Sequence, residues 1–121
     1  MSGSSARKVG DKYEDKAAEY LTKLGYRILA RNYTVRGGEI DIIAVKGNII
    51  VFAEVKYRSN VRFGDPLEAV NLNKQKHICR TALKYYSVHK ECTDMICRFD
   101  VIAIYGNGEI KHIENAFEFV R

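Results

Sequence analysis

The sequence predicts an α/β fold, a three-layer α/β/α sandwich with a mixed central sheet, on three observations. Helical and extended patterns succeed one another in the order helix, three strands, helix, two strands, which points to a sheet flanked by helices. Gly47-Asn48 stands between two runs rich in Ile and Val, the signature of a two-residue hairpin. The chain has 121 residues, one domain's worth, enough to bury roughly two thirds of its unfolded surface.

Residues 11–24 read as the first helix, because Tyr13, Ala17, Leu21 and Leu24 form an apolar stripe and Gly25 is a natural stop just past it. The preceding residues 1–8 are small and polar and lack the apolar stretch of a secretory signal, so they read as a flexible tail ahead of a single domain over 9–121. Tyr26–Val35 alternates apolar and basic residues over part of its length, as a strand with one wet face does. Strands follow at 39–46 and 49–57. After the loop "RSNVRFGD", Asp65, Pro66 and Glu68 match an N-cap, a first-turn proline and a capping-box acid. Asn71 to Asn73 is a potential break, and Ile78, Ala82 and Tyr85 or Tyr86 carry a helical stripe to about residue 89. "ICRFDVIAIY" is β-rich, and Gly106 to Gly108 turns it into a last short strand near 109–114.

No apolar run approaches the ~20 residues of a membrane span, and nothing in the sequence directs the chain out of the cytoplasm. Net charge is +5, from 20 Lys and Arg against 15 Asp and Glu, a bias that suits a polyanionic partner. Cys79, Cys92 and Cys97 are an odd number in a chain without a signal, so they read as reduced thiols; His89, Cys92 and Cys97 are loosely spaced like metal ligands, but no second pair completes a zinc site.

The chemistry lies in the hairpin. Counting outward from Gly47-Asn48, Val45 faces Ile50, Ile43 faces Phe52, Asp41 faces Glu54 and Glu39 faces Lys56. Opposed side chains share a face with Cβ atoms about 4.5–5.5 Å apart, and opposed like charges destabilise a sheet. The face is apolar toward the turn, so water cannot fully relieve Asp41 and Glu54. A divalent cation is the economical solution, since Mg²⁺ takes one or two carboxylates and fills its remaining positions with water or phosphate. Lys56, on the same face, then sits beside that ion, placed to orient or deprotonate a water or to steady a phosphate gaining charge. The alternative is a surface ladder of ion pairs through Glu39, Asp41, Glu54 and Lys56. A solvated face would be polar along its whole length, and this one is polar only away from the turn.

"EID", followed thirteen positions after Asp41 by "EVK", resembles the nuclease signature of an Asp on one strand and Glu-x-Lys on the next, shared by restriction enzymes and archaeal Holliday-junction resolvases. The Pro usual before that Asp is Ile40 here. In order, "GDKYEDKAAEYL", "GGEIDIIA", "VFAEVKYR", "FGDPLEAV", "KQKHI", "RFDVIAI" and "NAF" resemble the bacterial YraN-like family of uncharacterised, nuclease-like proteins, over about residues 9–117. The likeness implies a restriction-endonuclease-like fold, Asp41 and Glu54 as ligands of Mg²⁺ (or Mn²⁺ in its place), and Lys56 as the catalytic lysine. It implies a Mg²⁺-dependent endonuclease acting on structured or branched DNA, with a homodimer to make the two cuts a four-way junction needs. Glu14 resembles an additional acid of resolvase-type members, while Asp11 to Glu14 also scans as a capping box. Gln75 is similar in placement to a glutamine used near the lysine, while a core-edge amide bonded to backbone would look the same.

Arg58 and Arg62 follow the lysine strand and are the first groups a phosphate would meet. Lys76, Arg80 and Lys84 make one basic helix stripe, a pattern also typical of a solvated face. Such contacts position a backbone without reading its bases, and no recognition element for sequence is evident. Tyr57 and Phe63 are apt to stack on bases, with burial the expected fate of each. Glu39 and Asp100 read as structural or supporting acids, Asp100 paired with Arg98. A non-catalytic nucleic-acid-binding module, or an assembly partner, retaining the fold is the competing expectation.

Overall fold

The computed structural model describes residues 2–59 and 70–120, with side chains from residue 12 onward. The elements are α1 (Ser2–Lys23), β1 (Arg27–Val35), β2 (Gly38–Lys46), β3 (Ile49–Arg58), α2 (Leu72–Val88), a 3₁₀ turn (Lys90–Cys92), β4 (Ile96–Tyr105) and β5 (Ile110–Phe117). Their order is the one the sequence predicts. The strands form one five-stranded sheet in chain order, antiparallel throughout except for the parallel pair β3 and β4. A parallel pair needs a crossover, and α2 provides it.

Alternation along β2 and β3 decides the layers. Ile43, Val45, Ile50 and Phe52 pack on one face with Ile78, Cys79, Ala82 and Tyr85 of α2. Ile42, Ala44, Val51 and Ala53 pack on the other with Ala17 and Leu21 of α1, joined by Ile102 and Ile104 of β4. One helix therefore covers each face. This is the three-layer α/β arrangement, compatible with a restriction-endonuclease-like fold.

α1 ends in the motif that Gly25 foretold: Gly25 has φ +99, its N–H donates to the Thr22 carbonyl at 3.0 Å, and the Tyr26 N–H donates to the Leu21 carbonyl at 3.0 Å. The helix begins at Ser2, earlier than the apolar stripe predicts, and the backbone of residues 2–8, expected as a tail, is helical. Residues 11–14 consequently lie inside α1, so the capping-box role for Glu14 does not apply.

α2 begins at Leu72, with the Asn71 side chain accepting from the Lys74 N–H at 2.9 Å. The potential break at Asn71 to Asn73 is thus the start of this helix. The proposed start at Asp65, Pro66 and Glu68 lies outside the described residues, as do Arg62 and Phe63. Gly38 shows why α2 sits where it does: a Cβ there would collide with Thr81 Oγ1 and stand 3.0 Å from the His77 carbonyl. The start of β2 and the middle of α2 approach too closely for a side chain. β5 runs to Phe117, beyond the expected end near 114, and the 3₁₀ turn carries no sequence signal that the helical stripe would reveal.

Candidate active site

Gly47 takes φ +59 and Asn48 stays at negative φ, so the turn uses the glycine alone. It sets the expected register: Lys46 pairs with Ile49, Val45 with Ile50, Ile43 with Phe52 and Ile42 with Ala53. There the ladder stops, one step short of Asp41 and Glu54. β2 continues to pair with β1 as far as Gly38, while Glu54 pairs with Val101 of β4. β2 and β3 therefore part company at the two acids, and Asp41 Oδ2 accepts the Val55 N–H at 2.8 Å across the opening. The predicted pairings of Asp41 with Glu54 and of Glu39 with Lys56 are not ladder pairs; what survives is the shared face.

Asp41 and Glu54 are close enough to repel each other. The Asp41 carboxyl is pushed up from 3.8 to about 7, chiefly by burial, then by the negative charge of Glu54; the Val55 hydrogen bond opposes this, and Glu14 and Glu39 add to it. Glu14 thus reaches the electrostatic neighbourhood of Asp41 from α1. Glu54 is buried, 5% exposed, and one oxygen, Oε1, holds two ammonium groups: Lys56 Nζ at 3.2 Å and Lys74 Nζ at 3.3 Å. Sequence reasoning missed Lys74. The signal needs the structure, since only with α2 starting at Leu72 does Lys74 fall in a first turn that carries no acid, where a lysine opposes the helix dipole.

The other predicted residues fall as follows. Gln75 Nε2 donates to the Val70 carbonyl at 3.0 Å, placing the amide at the start of α2 beside Lys74. Arg58 is half-buried, and its Nε has no hydrogen-bond partner among the described residues. Lys76 is half-buried and Arg80 and Lys84 are exposed. Tyr57 corrects the expectation of burial: it is 44% exposed and stacks on Tyr13 with ring centroids 4.2 Å apart. It projects from the opposite face of β3 to Glu54 and Lys56. The cysteines are free thiols; burial is the main cause raising all three above the usual thiol range. Among the described residues no group of three or more His, Cys, Asp or Glu is placed to hold a metal ion, and no helix is long and apolar enough to cross a membrane.

The raised Asp41 carboxyl makes stability depend on pH. Between pH 4 and 7 the folded chain keeps a proton that the unfolded chain has lost, so stability falls as pH rises through that window. The loss is expected to be on the order of 2 kcal/mol. Urea denaturation of the metal-free protein from pH 4.5 to 8 checks this, with Asp41→Asn removing most of the slope; equal slopes in the two proteins would contradict it.

Comparison with known proteins finds that residues 13–104 match the model of a family described as "Uncharacterised protein family UPF0102". Similar chains include UPF0102 proteins of Caldicellulosiruptor saccharolyticus, 44% identical over 92% of this chain and 98% of the relative, and of Lachnoclostridium phytofermentans, 49% identical over 87% and 88%. One from Carboxydothermus hydrogenoformans is 41% identical over 93% of this chain and 98% of its own length.

Proposed function

The chain belongs to the uncharacterised UPF0102 (YraN) family, and on that footing we propose that it is a Mg²⁺-dependent endonuclease that hydrolyses phosphodiester bonds in structured or branched DNA. The observation that carries the reading is the opening between β2 and β3. Two strands paired without interruption from the turn separate where each presents a carboxylate, and a lysine of the same face stands 3.2 Å from one of them.

The donor set fits a hard divalent cation. Asp41 and Glu54 offer oxygens only, and burial first, then the negative charge of Glu54, pushes Asp41 up, both of which a bound cation would offset. Two carboxylates suffice for Mg²⁺, which keeps much of its water shell. When bound, the ion supplies Lewis-acid charge to the phosphoryl oxygen and to the attacking water. The chain's residues do the rest. The Val55 N–H orients the Asp41 carboxylate, Glu54 holds Lys56 at the site, and the Lys56 ammonium is placed to stabilise charge growing on the phosphate. Glu14 of α1 adds to the negative charge felt by Asp41, Gln75 follows Lys74 in α2, and Arg58 ends β3.

Glu54, already clasped by two lysines, also favours a second reading, in which the cluster is complete without metal and the chain is a nucleic-acid-binding module or an assembly partner. One assay separates them: the purified protein with Mg²⁺ or Mn²⁺ against linear, flapped, looped and four-way DNA, with Lys56→Ala beside it. The endonuclease reading expects metal-dependent cuts on a branched substrate, lowered on the order of 10²-fold in the variant. Retention of DNA without cleavage under either metal would favour the binding module.

A further inference from the structure

We propose that Lys74 is a resident counter-ion of the metal site and a ligand for the substrate's phosphate, exchanging the Glu54 carboxylate for a non-bridging phosphate oxygen as DNA arrives. This rests on the reading of Asp41 and Glu54 as metal ligands.

Both ammonium groups converge on one oxygen, Glu54 Oε1. They differ in tether and exposure. Lys56 projects from β3, paired with Ala103 in the parallel ladder, and its side chain is 25% exposed. Lys74 reaches in from the first turn of α2 and is 41% exposed. Its backbone N–H is fixed by Asn71, so the side chain starts from a defined point and swings on its own torsions. A cation there faces the positive end of the helix dipole, and Glu54 is the acid that offsets this.

A divalent ion at Glu54 changes the balance. Two ammonium groups about 3 Å from a carboxylate that also binds Mg²⁺ repel the ion and each other, and the more exposed one, Lys74, is the one free to leave. A DNA phosphate offers it a new anion next to the site. Phosphate binding then removes a competitor of the metal, and metal binding frees a cation for the phosphate. The two affinities are coupled, each raising the other by the same factor.

The test uses Mn²⁺ alone and a four-way DNA junction, on the full chain. In Lys74→Met, Mn²⁺ is expected to bind the free protein about fivefold more tightly. Junction affinity in EDTA is expected to fall about threefold, with the salt slope reduced by about one. Adding the junction tightens Mn²⁺ binding in both chains, because the ion itself meets the phosphate, but by a clearly smaller factor in Lys74→Met than in the native chain, while Lys74→Arg keeps the native factor. Unfolding curves confirm that each variant is folded. Mn²⁺ binding lost in Asp41→Asn but equal in Lys74→Met and the native chain would overturn the Lys74 role alone. Mn²⁺ binding indifferent to Asp41→Asn would overturn the metal site and this proposal with it.

Discussion

Asp41→Asn and Glu54→Gln are both expected to lower cleavage on the order of 10³-fold or more, and to move stability in opposite directions. On the proposed reading, the rate effect follows from removing one of the two carboxylates that would hold the cation, with the loss of charge stabilisation at the phosphoryl group. The stability effects follow from what surrounds each acid. Asp41 meets mainly negative neighbours among the described residues, and the hydrogen bond it accepts from the Val55 N–H is equally available to an asparagine oxygen. At pH 8 Asp41→Asn therefore removes repulsion and keeps the bond, so the metal-free variant melts on the order of 5 °C higher than the native chain. Glu54 is buried between two ammonium groups. Glu54→Gln leaves both without a counter-charge and costs about 1–3 kcal/mol. Gain of stability with loss of function at one acid is the trade expected of a site strained for chemistry. Melting curves at pH 8 and a cleavage assay on the same preparations decide it. Cleavage that survives both substitutions ends the endonuclease reading, and equal melting temperatures for Asp41→Asn and the native chain end the account of Asp41.

The hairpin was legible because its information is local. A glycine at the turn fixes the register, and period-two alternation then assigns every side chain of β2 and β3 to a face without knowledge of the rest of the fold. The same counting continues past the end of the ladder, which is why it places Asp41 and Glu54 on one face yet mistakes them for a ladder pair. Past Ala53, β3 keeps its pairing with β4 and loses that with β2, and no local pattern in the hairpin reports that. Lys74 was missed for a related reason. It is one of several basic residues on a helix, and what distinguishes it from Lys76 is a contact with a strand twenty residues earlier. Glu14 was harder still, because a capping pattern is local and strong, and only the continuation of α1 through residues 11–14 dismisses it.

Asp100 lies at the other limit of legibility and carries the largest expected effect on folding. An acid inside "RFDVIAI" announces a buried charge, and the spacing puts Arg98 on its face, so the pair was foreseeable. The rest was not. Asp100 is fully buried and accepts from Arg98 Nε at 2.9 Å and Nη2 at 2.8 Å, from His112 Nε2 at 2.6 Å and from the Asn115 N–H at 3.0 Å. His112 Nδ1 in turn meets the Tyr20 hydroxyl of α1 at 3.0 Å, and Arg98 Nη2 donates to the Tyr26 hydroxyl. With the His112 Nε2–H given to Asp100, Nδ1 is the acceptor for Tyr20. The β4–β5 ladder shifts register between Phe99 and Val101, and the Asp100 carboxylate fills the gap by taking the Asn115 N–H that the ladder leaves over. Burial alone would raise this carboxyl; the bonds from His112, Arg98 and Asn115 outweigh it and hold it below the usual range. Its contribution is therefore present at neutral pH and lost in acid, opposite in sign to that of Asp41. Asp100→Ala strands a guanidinium, an imidazole N–H and a backbone N–H together, at an expected cost of about 3–5 kcal/mol. Asp100→Asn keeps the shape but turns an amide NH₂ toward donors, and is expected to lose about half as much. The network lies on the α1 face of the sheet, whereas Glu54 and Lys56 lie on the α2 face, so cleavage per folded molecule is unchanged in Asp100→Asn. Urea denaturation at pH 7 measures the cost. A loss under 1 kcal/mol in Asp100→Ala would mean that the four bonds to one buried carboxylate do not hold the β4–β5 edge together as the geometry requires.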